Sequence, residues 1–400
     1  MTTKRHPILS ISLASASILF SADSLAVDIT SRLELQNRYF PSDPATPNSQ
    51  QHSDYLSTAL ESEFFYRSDS DDSSLLFKPY IRLDQHDSQR SHGDIRELYW
   101  LNAASSWQFK AGISKVFWGV TESQHLVDVI NQTDLVENID GEDKLGQPMI
   151  QFSYENSSGL IDFFVLPYFR ERLFSEDEGR PLFPANLNYD DALYESNDKQ
   201  RHIDYAVRLL SFLDDLELGI SYFDGTSRDP DFVADPADGR LTPFYRQMEQ
   251  WGLDAQITTD EWLFKLESIK RNWSAEDYFA GTTGFEYTFV GILDSDSDLD
   301  AIFEYLYDER GDRALSLFQN DVMVGFRWTM NDTQSTEALL GLIVDRDNQD
   351  RLISIEASRR LAANWTIELE ARSFFSKSTF SPLYPVRRDD FIQLQLNYYF

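Results

Sequence analysis

The sequence predicts an all-β fold, a transmembrane antiparallel β-barrel of about 18 strands, from three observations. Apolar and polar residues alternate along many short segments, short and long connections alternate between those segments, and aromatic residues concentrate at the segment ends. This combination is typical of barrels whose outer face meets lipid and whose inner face meets water. Beyond residue 26 no uninterrupted apolar stretch reaches the ~18 residues that a membrane-spanning helix needs, so strands must do the crossing.

Composition excludes several classes of protein. The 400 residues include 67 acidic and 35 basic side chains and no cysteine, with a net charge of −32. A nucleic-acid binder needs a basic surface to neutralise phosphates, which this chain does not supply. The lack of cysteine excludes disulfide scaffolds, thiolate metal sites and cysteine nucleophiles. The 29 Phe, 19 Tyr and 8 Trp offer too much apolar surface for a disordered acidic chain.

The alternation is clearest in the last segment of the chain. One face is apolar and holds Ile392, Leu394, Leu396, Tyr398 and Phe400, while the residues between them are Gln393, Gln395 and Asn397. A period of two is the period of a β-strand. Similar segments recur from residue 32 onward, including residues 75–84 and 365–372, and each has one apolar and one charged face.

The connections between these segments alternate in length. We read eight short and nine long connections, which join 18 strands, or 16 if the weakly patterned segments near Ile95 and Thr336 are not strands. Because consecutive connections lie at opposite rims, alternating short and long connections place turns at one rim of the barrel and loops at the other. We expect the short turns to be periplasmic and the long loops extracellular.

The strands of a soluble sandwich or propeller would also alternate apolar and polar residues, but their apolar face would point into the protein core. We find no internal repeat of the kind that propeller blades produce, and glycine, at 17 of 400 residues, is scarcer than the ~7% average. The aromatic residues at predicted strand ends suit the interfacial girdles of a membrane barrel. They are Tyr39, Phe40, Tyr66, Tyr99, Trp100, Trp107, Trp118, Tyr222, Trp251, Trp262, Trp328, Trp365 and Tyr398.

Residues 1–26 have the pattern of a secretory signal peptide. Lys4 and Arg5 precede an uncharged stretch at residues 8–20, and Ser24-Leu25-Ala26 offers small residues where a signal peptidase cleaves. The alternative, an N-terminal membrane anchor, is disfavoured because the apolar stretch is short. We predict cleavage after Ala26 and a single mature domain, residues 27–400.

Two stretches resemble known families. The ending with Tyr398 and a terminal Phe400 resembles the C-terminal strand signature of Gram-negative outer-membrane proteins, which implies recognition by the barrel-assembly machinery. A weaker resemblance spans residues 94–150, through the runs Ile95-Arg-Glu-Leu-Tyr-Trp100, Phe117-Trp-Gly119 and Asp128-Val-Ile-Asn-Gln-Thr-Asp-Leu135. These runs resemble those of a family of uncharacterised porin-like barrels and, more distantly, those of alginate-export porins. This chain has Gln132 where that family has a proline. The resemblance implies passive translocation through an outer-membrane barrel without catalytic residues.

The long loop at residues 119–147 is the candidate for selectivity. Its apolar residues recur at helical spacing, with Thr121 and Asp134 available as N-caps. We expect it to fold into the barrel and narrow the pore, the alternative being a solvated extracellular loop. Its acidic residues would then face a basic strip on the wall and tune ion choice. The acids are Asp128, Asp134, Glu137, Asp140 and Glu142, and the strip is Arg32, Arg38, Lys78, Arg82 and Lys110.

Other charged residues on the polar faces are also candidates for lining the lumen. They are Glu61, Glu63, Arg170, Arg208, Glu267, Glu304, Arg327, Glu356, Glu370 and Arg372. For any one of them, cross-strand pairing is a stronger interpretation than contact with a solute. The overall excess of acid predicts a weak preference for cations.

The sequence indicates no cofactor and no metal site. The acidic run at residues 294–300 begins like a calcium loop but lacks the glycine and glutamate that such a loop requires. The histidines of the mature chain, His52, His86, His92, His125 and His202, show no spacing typical of a metal pair.

The predicted function is an outer-membrane porin-like channel for passive passage of small hydrophilic solutes or ions. Its expected surroundings are outer-membrane lipid and lipopolysaccharide. Two alternatives stay open. A barrel hydrolase would use His86 or His92 with Ser88 or Ser91, or His202 with Asp204, and a structural or adhesive barrel would have a lumen too narrow to conduct.

Overall fold

The fold is a closed barrel in a computed structural model that describes residues 26–45, 51–181, 186–188, 191–237, 239–273, 276–314, 318–379 and 381–400. Residues 1–25 of the predicted signal peptide lie outside this part of the chain. Eighteen described strands form one antiparallel sheet, which closes because β1 pairs with β2 on one side and with β21 on the other. The all-β, 18-stranded prediction is confirmed.

The barrel strands follow one another in chain order around the sheet. They are β1 (Val27–Tyr39), β2 (Asp54–Arg67), β3 (Ser73–Asp84), β4 (Gly93–Ala103), β5 (Trp107–Ser114), β6 (Gln147–Asn156), β7 (Gly159–Leu166), β9 (Asp204–Leu213), β10 (Leu216–Thr226), β13 (Gln247–Thr259), β14 (Trp262–Trp273), β15 (Asp277–Phe289), β16 (Asp298–Asp308), β17 (Asn320–Thr329), β18 (Glu337–Asp345), β19 (Arg351–Ala362), β20 (Trp365–Phe375) and β21 (Phe391–Tyr399). Three short strands, β8 (Leu193–Tyr194), β11 (Asp231–Ala234) and β12 (Leu241–Tyr245), form a separate small sheet within the long connections.

The two rims of the barrel differ in the length of their connections. Ser31 and Phe400 exchange backbone hydrogen bonds of 2.8 and 3.0 Å, so the first and last strands begin and end at the same rim. That rim carries eight connections of two to eight residues, such as residues 214–215 and 363–364, and the opposite rim carries nine, among them the longest, residues 167–203. We call them the short-turn rim and the long-loop rim.

The distribution of apolar and polar side chains is the reverse of that in a water-soluble fold. On β1, Leu33 and Leu35 are 45% and 49% exposed, whereas Glu34 and Gln36 between them are 3% and 4% exposed. Side chains of a strand point alternately to opposite faces, so the apolar residues form the outer surface and the polar ones point inward. Within the described residues, no helix is long and apolar enough to span a bilayer.

Most of the aromatic residues predicted for the outer surface are exposed there. Trp100, Trp251 and Trp365 are examples. Phe40 and Trp118 were assigned to the same set wrongly, since each is almost completely buried in an apolar cluster. Both residues follow the end of a strand, where the alternation of faces stops and the chain turns inward.

Candidate functional site

The connection between β5 and β6, residues 115–146, lies against inward-facing side chains of the barrel and is called the inner loop. One end is held by Glu267 of β14, which is fully buried. Its Oε1 accepts hydrogen bonds from the backbone N–H groups of Val120 and Thr121 at 2.7 and 3.0 Å, and from the Thr121 hydroxyl at 2.8 Å. Its Oε2 accepts from the N–H of Val127 at 3.3 Å.

Glu304 of β16 is a second buried carboxylate that holds the inner loop. It accepts from the N–H groups of Glu122 and Ser123 at 2.7 and 2.9 Å, and also from the Ser123 hydroxyl. Buried carboxylates need such donors, because a buried charge without hydrogen bonds is strongly destabilising. The two glutamates therefore act as anchors and not as the cross-strand partners that the sequence favoured.

The predicted helical turns in this loop are wrong. Residues 115–146, all of which the structure describes, contain turns, bends and isolated bridges but no helix. The physical reason is that distant side chains fix the backbone: Glu267 accepts from the N–H of Val127, which a helix capped at Thr121 would have paired with the carbonyl of Ser123. Neither Thr121 nor Asp134 caps a helix. Thr121 contacts Glu267, and Asp134 contacts Arg96.

The middle of the inner loop packs in an apolar patch inside the barrel. Val127, Val129 and Ile130 are buried against inward-facing apolar residues of the wall, including Phe164 and Ile269. Most other inward positions are polar, apart from a smaller apolar cluster of Ile302, Leu306 and Met323, so this patch excludes water from one side of the lumen. The loop is held by apolar burial here and by the carboxylate anchors nearby.

The acidic part of the inner loop meets arginines of β3 and β4. Asp134 lies 2.6 Å from Arg96, and Glu137 lies 2.9 Å from Arg82 and 3.3 Å from Arg96. Burial alone would raise the pKa of Glu137, but the guanidinium groups, with Arg82 the strongest, lower it to about 2. Arg38 donates to the backbone carbonyl of Glu137 at 3.3 Å. Arg96, which lies in the run Ile95–Trp100, was not among the predicted residues, although it contacts two of them.

Two further arginines tie the inner loop to other strands of the barrel. Arg372 of β20 lies 3.1 Å from Asp140 of the loop and 2.9 Å from Glu370. Arg327 of β17 lies 2.6 Å from Glu122 of the loop. Burial raises the pKa of Asp140 to about 7 despite Arg372. The loop is thus bridged to both sides of the barrel.

The remaining predicted pore residues contact other partners. In the inner loop, Asp128 pairs with Lys144 at 3.2 Å and Glu142 with His125 at 3.0 Å. On the wall, the three remaining members of the basic strip pair locally. Arg32 contacts Glu61 at 3.8 Å, Lys78 contacts Glu63 at 2.9 Å, and Lys110 lies 5.0 Å from the Tyr99 ring.

The inner loop contributes to the walls of two cavities in the lumen. The lower one, toward the short-turn rim, has a volume of about 780 Å³ and is lined by ten carboxylates and six basic side chains. The upper one, toward the long-loop rim, has a volume of about 290 Å³ and is lined by equal numbers of carboxylates and Lys or Arg side chains. Asp140 borders both cavities.

The histidines and serines considered for catalysis have other partners. Ser88 donates to Glu176 at 2.5 Å, and Ser91 donates to the backbone carbonyl of Asp84 at 3.1 Å. The ring of His86 stacks on that of His52 at 3.5 Å between centroids. His202 contacts Asp204 at 2.9 Å, and Asp204 also pairs with Arg228 and accepts from Thr226.

Comparisons with known proteins returned structural similarity only. No family model matches the chain, and no curated protein matches it. Solved structures similar to it include a loop-deletion mutant of OmpT and the in-vitro folded trimer form of OmpT, both described as an outer membrane protein of Vibrio cholerae. Each has 11% identity and a TM-score of 0.47 and covers 94% of this chain and 100% of that one. A mutant of the Rh. blastica porin has 12% identity, a TM-score of 0.46 and the same coverage.

Proposed function

We propose that this chain is a porin-like channel of the outer membrane, through which small hydrophilic solutes or ions pass passively. The observation that carries the proposal is the closed barrel with an apolar exterior and a charged interior. Hydrocarbon cannot hydrogen-bond to the backbone, so a membrane-spanning sheet must close on itself. A charged lumen that holds water inside such a wall is a route for polar solutes.

The inner loop is proposed to control which solutes pass. It bridges the wall from β3 and β4 to β17 and β20 through ion pairs, and cavities lie on both sides of it. The lower cavity has more carboxylates than basic groups, which favours cations. The selectivity is therefore expected to be a weak cation preference with a size limit set by the inner loop.

The proposal includes no catalytic step. A hydrolase needs a nucleophile or water within hydrogen-bond reach of a general base. The partners of Ser88 and Ser91 are a carboxylate and a backbone carbonyl. The carboxylate beside His202 is shared with an arginine, which suits a structural ion pair. These contacts support a channel over the hydrolase alternative.

Lipid, lipopolysaccharide and the barrel-assembly machinery are the proposed partners. The large exposed apolar side chains on the outer face of the strands suit acyl chains. Phe400 is 59% exposed, and its ring stacks on that of Tyr398 with centroids 5.6 Å apart. An exposed C-terminal aromatic pair is accessible to a factor that recognises the last strand.

Planar-bilayer recording of the refolded protein tests the proposal. We expect discrete conductance steps and, in a salt gradient, a reversal potential that shows weak cation preference. The absence of conductance from a correctly folded barrel would favour the structural or adhesive alternative. A mature chain that stays monodisperse in buffer without detergent would contradict the membrane location itself.

A further inference from the structure

Three potential metal ligands meet where the inner loop contacts the wall. One ring nitrogen of His92 and one carboxylate oxygen from each of Asp134 and Glu137 lie within 4.8 Å of one another. Asp134 is completely buried and Glu137 is 7% exposed, while His92 immediately precedes β4. Asp134 and Glu137 are three positions apart, but His92 lies 42 positions before Asp134, so the sequence spacing could not reveal the cluster.

The hydrogen bonding of His92 leaves a lone pair directed at this cluster. Its Nδ1 lies 3.1 Å from the backbone carbonyl oxygen of Arg90. A carbonyl can only accept, so Nδ1 carries the proton, and the neutral ring has its lone pair on Nε2. Nε2 is buried without a hydrogen-bond partner and lies 3.6 Å from a Glu137 oxygen, which is also an acceptor. Fixing the tautomer through the other ring nitrogen is how proteins orient a histidine that binds metal.

Asp134 supplies a second unused acceptor. Its Oδ2 lies 2.6 Å from Arg96, but its Oδ1 is buried without a hydrogen-bond partner. A buried carboxylate oxygen without a donor costs free energy.

We propose that His92, Asp134 and Glu137 bind a divalent transition metal of the Zn²⁺ type. Zinc accepts nitrogen and carboxylate oxygen ligands at about 2.0–2.2 Å in tetrahedral geometry. Two ligand atoms at those bond lengths are about 3.4 Å apart across a tetrahedral angle, close to the 3.6 Å between His92 and Glu137. Three protein ligands leave a fourth position for water.

Neighbouring side chains already contact both carboxylates. Arg96 binds Asp134 through Oδ2 and leaves Oδ1 for the metal. On Glu137, Arg82 contacts Oε2, whereas Arg96 at 3.3 Å and the Tyr80 hydroxyl at 3.0 Å contact Oε1, the oxygen that faces His92, so a metal would share this oxygen with them. These contacts orient the ligands, as outer partners do at metal sites. They also lower the affinity through repulsion, so the site is expected to be weaker than a structural zinc site made of cysteines.

The metal would fasten the inner loop to the wall. Asp134 and Glu137 belong to the loop, whereas His92 belongs to the connection before β4. Glu137 also lines the lower cavity, which gives an ion in the lumen access to the site. Binding of the metal does not depend on the channel proposal.

Zinc titration of the full mature chain, refolded in detergent and stripped of metal, tests the site. The titration is followed by calorimetry in excess Mg²⁺, which saturates weak carboxylate sites. We expect one Zn²⁺ per chain. Because a metal loses a direct ligand, H92Q should weaken binding by more than the roughly 10–100-fold that loss of an outer partner costs. The matched control is H86Q, which removes another histidine near the same rim, and it should bind as the wild type does.

A second variant and a second probe separate binding from folding. D134N keeps the side-chain size and weakens a ligand, and heat-dependent gel mobility reports whether each variant is a folded barrel. Co²⁺ in the wild type should give the absorption of a tetrahedral site, and H92Q should lose it. No zinc binding by the folded wild type, or equal binding by wild type, H92Q and D134N, would overturn the proposal. Neither result would affect the conductance that tests the channel.

Discussion

Replacing Glu267 by glutamine should loosen the inner loop from the barrel wall. The carboxylate is fully buried, and one oxygen receives three hydrogen bonds of 2.7–3.0 Å from Val120 and Thr121. Glutamine has the same shape but no charge. Its amide can offer one carbonyl oxygen to these donors, and its NH₂ group then faces the N–H of Val127, where the second carboxylate oxygen accepted at 3.3 Å.

The expected size of the effect follows from these contacts. A hydrogen bond to a charged group contributes about 1.5–3 kcal/mol, and one between neutral groups about 0.5–1.5 kcal/mol. Three bonds that change from the first kind to the second lose roughly 3 kcal/mol in total. Since each 1.4 kcal/mol is a factor of ten, the ratio of docked to undocked inner loop should fall by roughly 100-fold.

Single-channel recording in planar bilayers measures this change. E267Q should show frequent excursions to a conductance above that of the wild type. The matched control is E368Q, since Glu368 is another inward-facing glutamate, which lines the lower cavity and accepts hydrogen bonds from Gln395 and Asn397 of β21 instead of from the inner loop. If the records of E267Q and E368Q are alike, the inner loop is not held by this buried carboxylate and the reasoning is refuted.

Three further predictions concern the pore. Deleting residues 127–140 should raise the single-channel conductance, and an unchanged value would show that the inner loop does not narrow the pore. R372Q removes a cation shared by Asp140 and Glu370, so the reversal potential in a salt gradient should shift toward stronger cation preference; a shift toward anions would contradict the assigned lumen charge. Burial acts to lower the pKa of His125, but the hydrogen bonds and charges of Glu142 and Glu267 raise it from 6.5 to about 10. Protonated His125 therefore stabilises the docked loop. This stabilisation is complete below about pH 6.5 and is lost as the pH rises toward 10. High-conductance excursions should therefore increase over that range in the wild type, and a flat profile there would exclude this contribution.

The barrel could be predicted from the sequence because strand pairing leaves a local pattern. On β21, the apolar residues Ile392 and Leu394 are exposed and Gln393 and Asn397 are buried, as the period of two requires. The short connections could be predicted as well, because turn residues are also a local feature of the sequence. Lipid on one side and water on the other keep this pattern uniform around the wall.

The inner loop could not be predicted in the same way, because its conformation depends on distant residues. Thr121 is held by a carboxylate 146 positions away, and Ser123 by one 181 positions away. Nothing local distinguishes Glu267 or Glu304 from a glutamate in a cross-strand pair. The apolar residues Val127, Val129 and Ile130 are buried against apolar side chains of the wall and do not form the face of a helix.

One sequence signal for the docked loop was present in the strands. Near the long-loop rim, inward positions that should be polar are apolar, including Phe164, Leu166, Met248 and Ile269. A strand that is apolar on both faces is buried on both faces. In a barrel, such a stretch indicates that something covers the inner wall there.

If the proposed channel conducts, the contacts of the inner loop also determine which charges a passing ion meets. Asp134 and Glu137 form contact pairs with Arg82 and Arg96, and a contact pair acts at a distance as a dipole. The net field in the lower cavity therefore comes from its surplus of carboxylates, ten against six basic groups. At physiological ionic strength this field is screened beyond about 8 Å, so it acts within the cavity and not across the loop. In the upper cavity the numbers of acidic and basic groups are equal, so discrimination between solutes there must depend on shape and local contacts. Substitutions in the lower cavity should therefore change ion preference, and substitutions in the upper cavity should change the size limit.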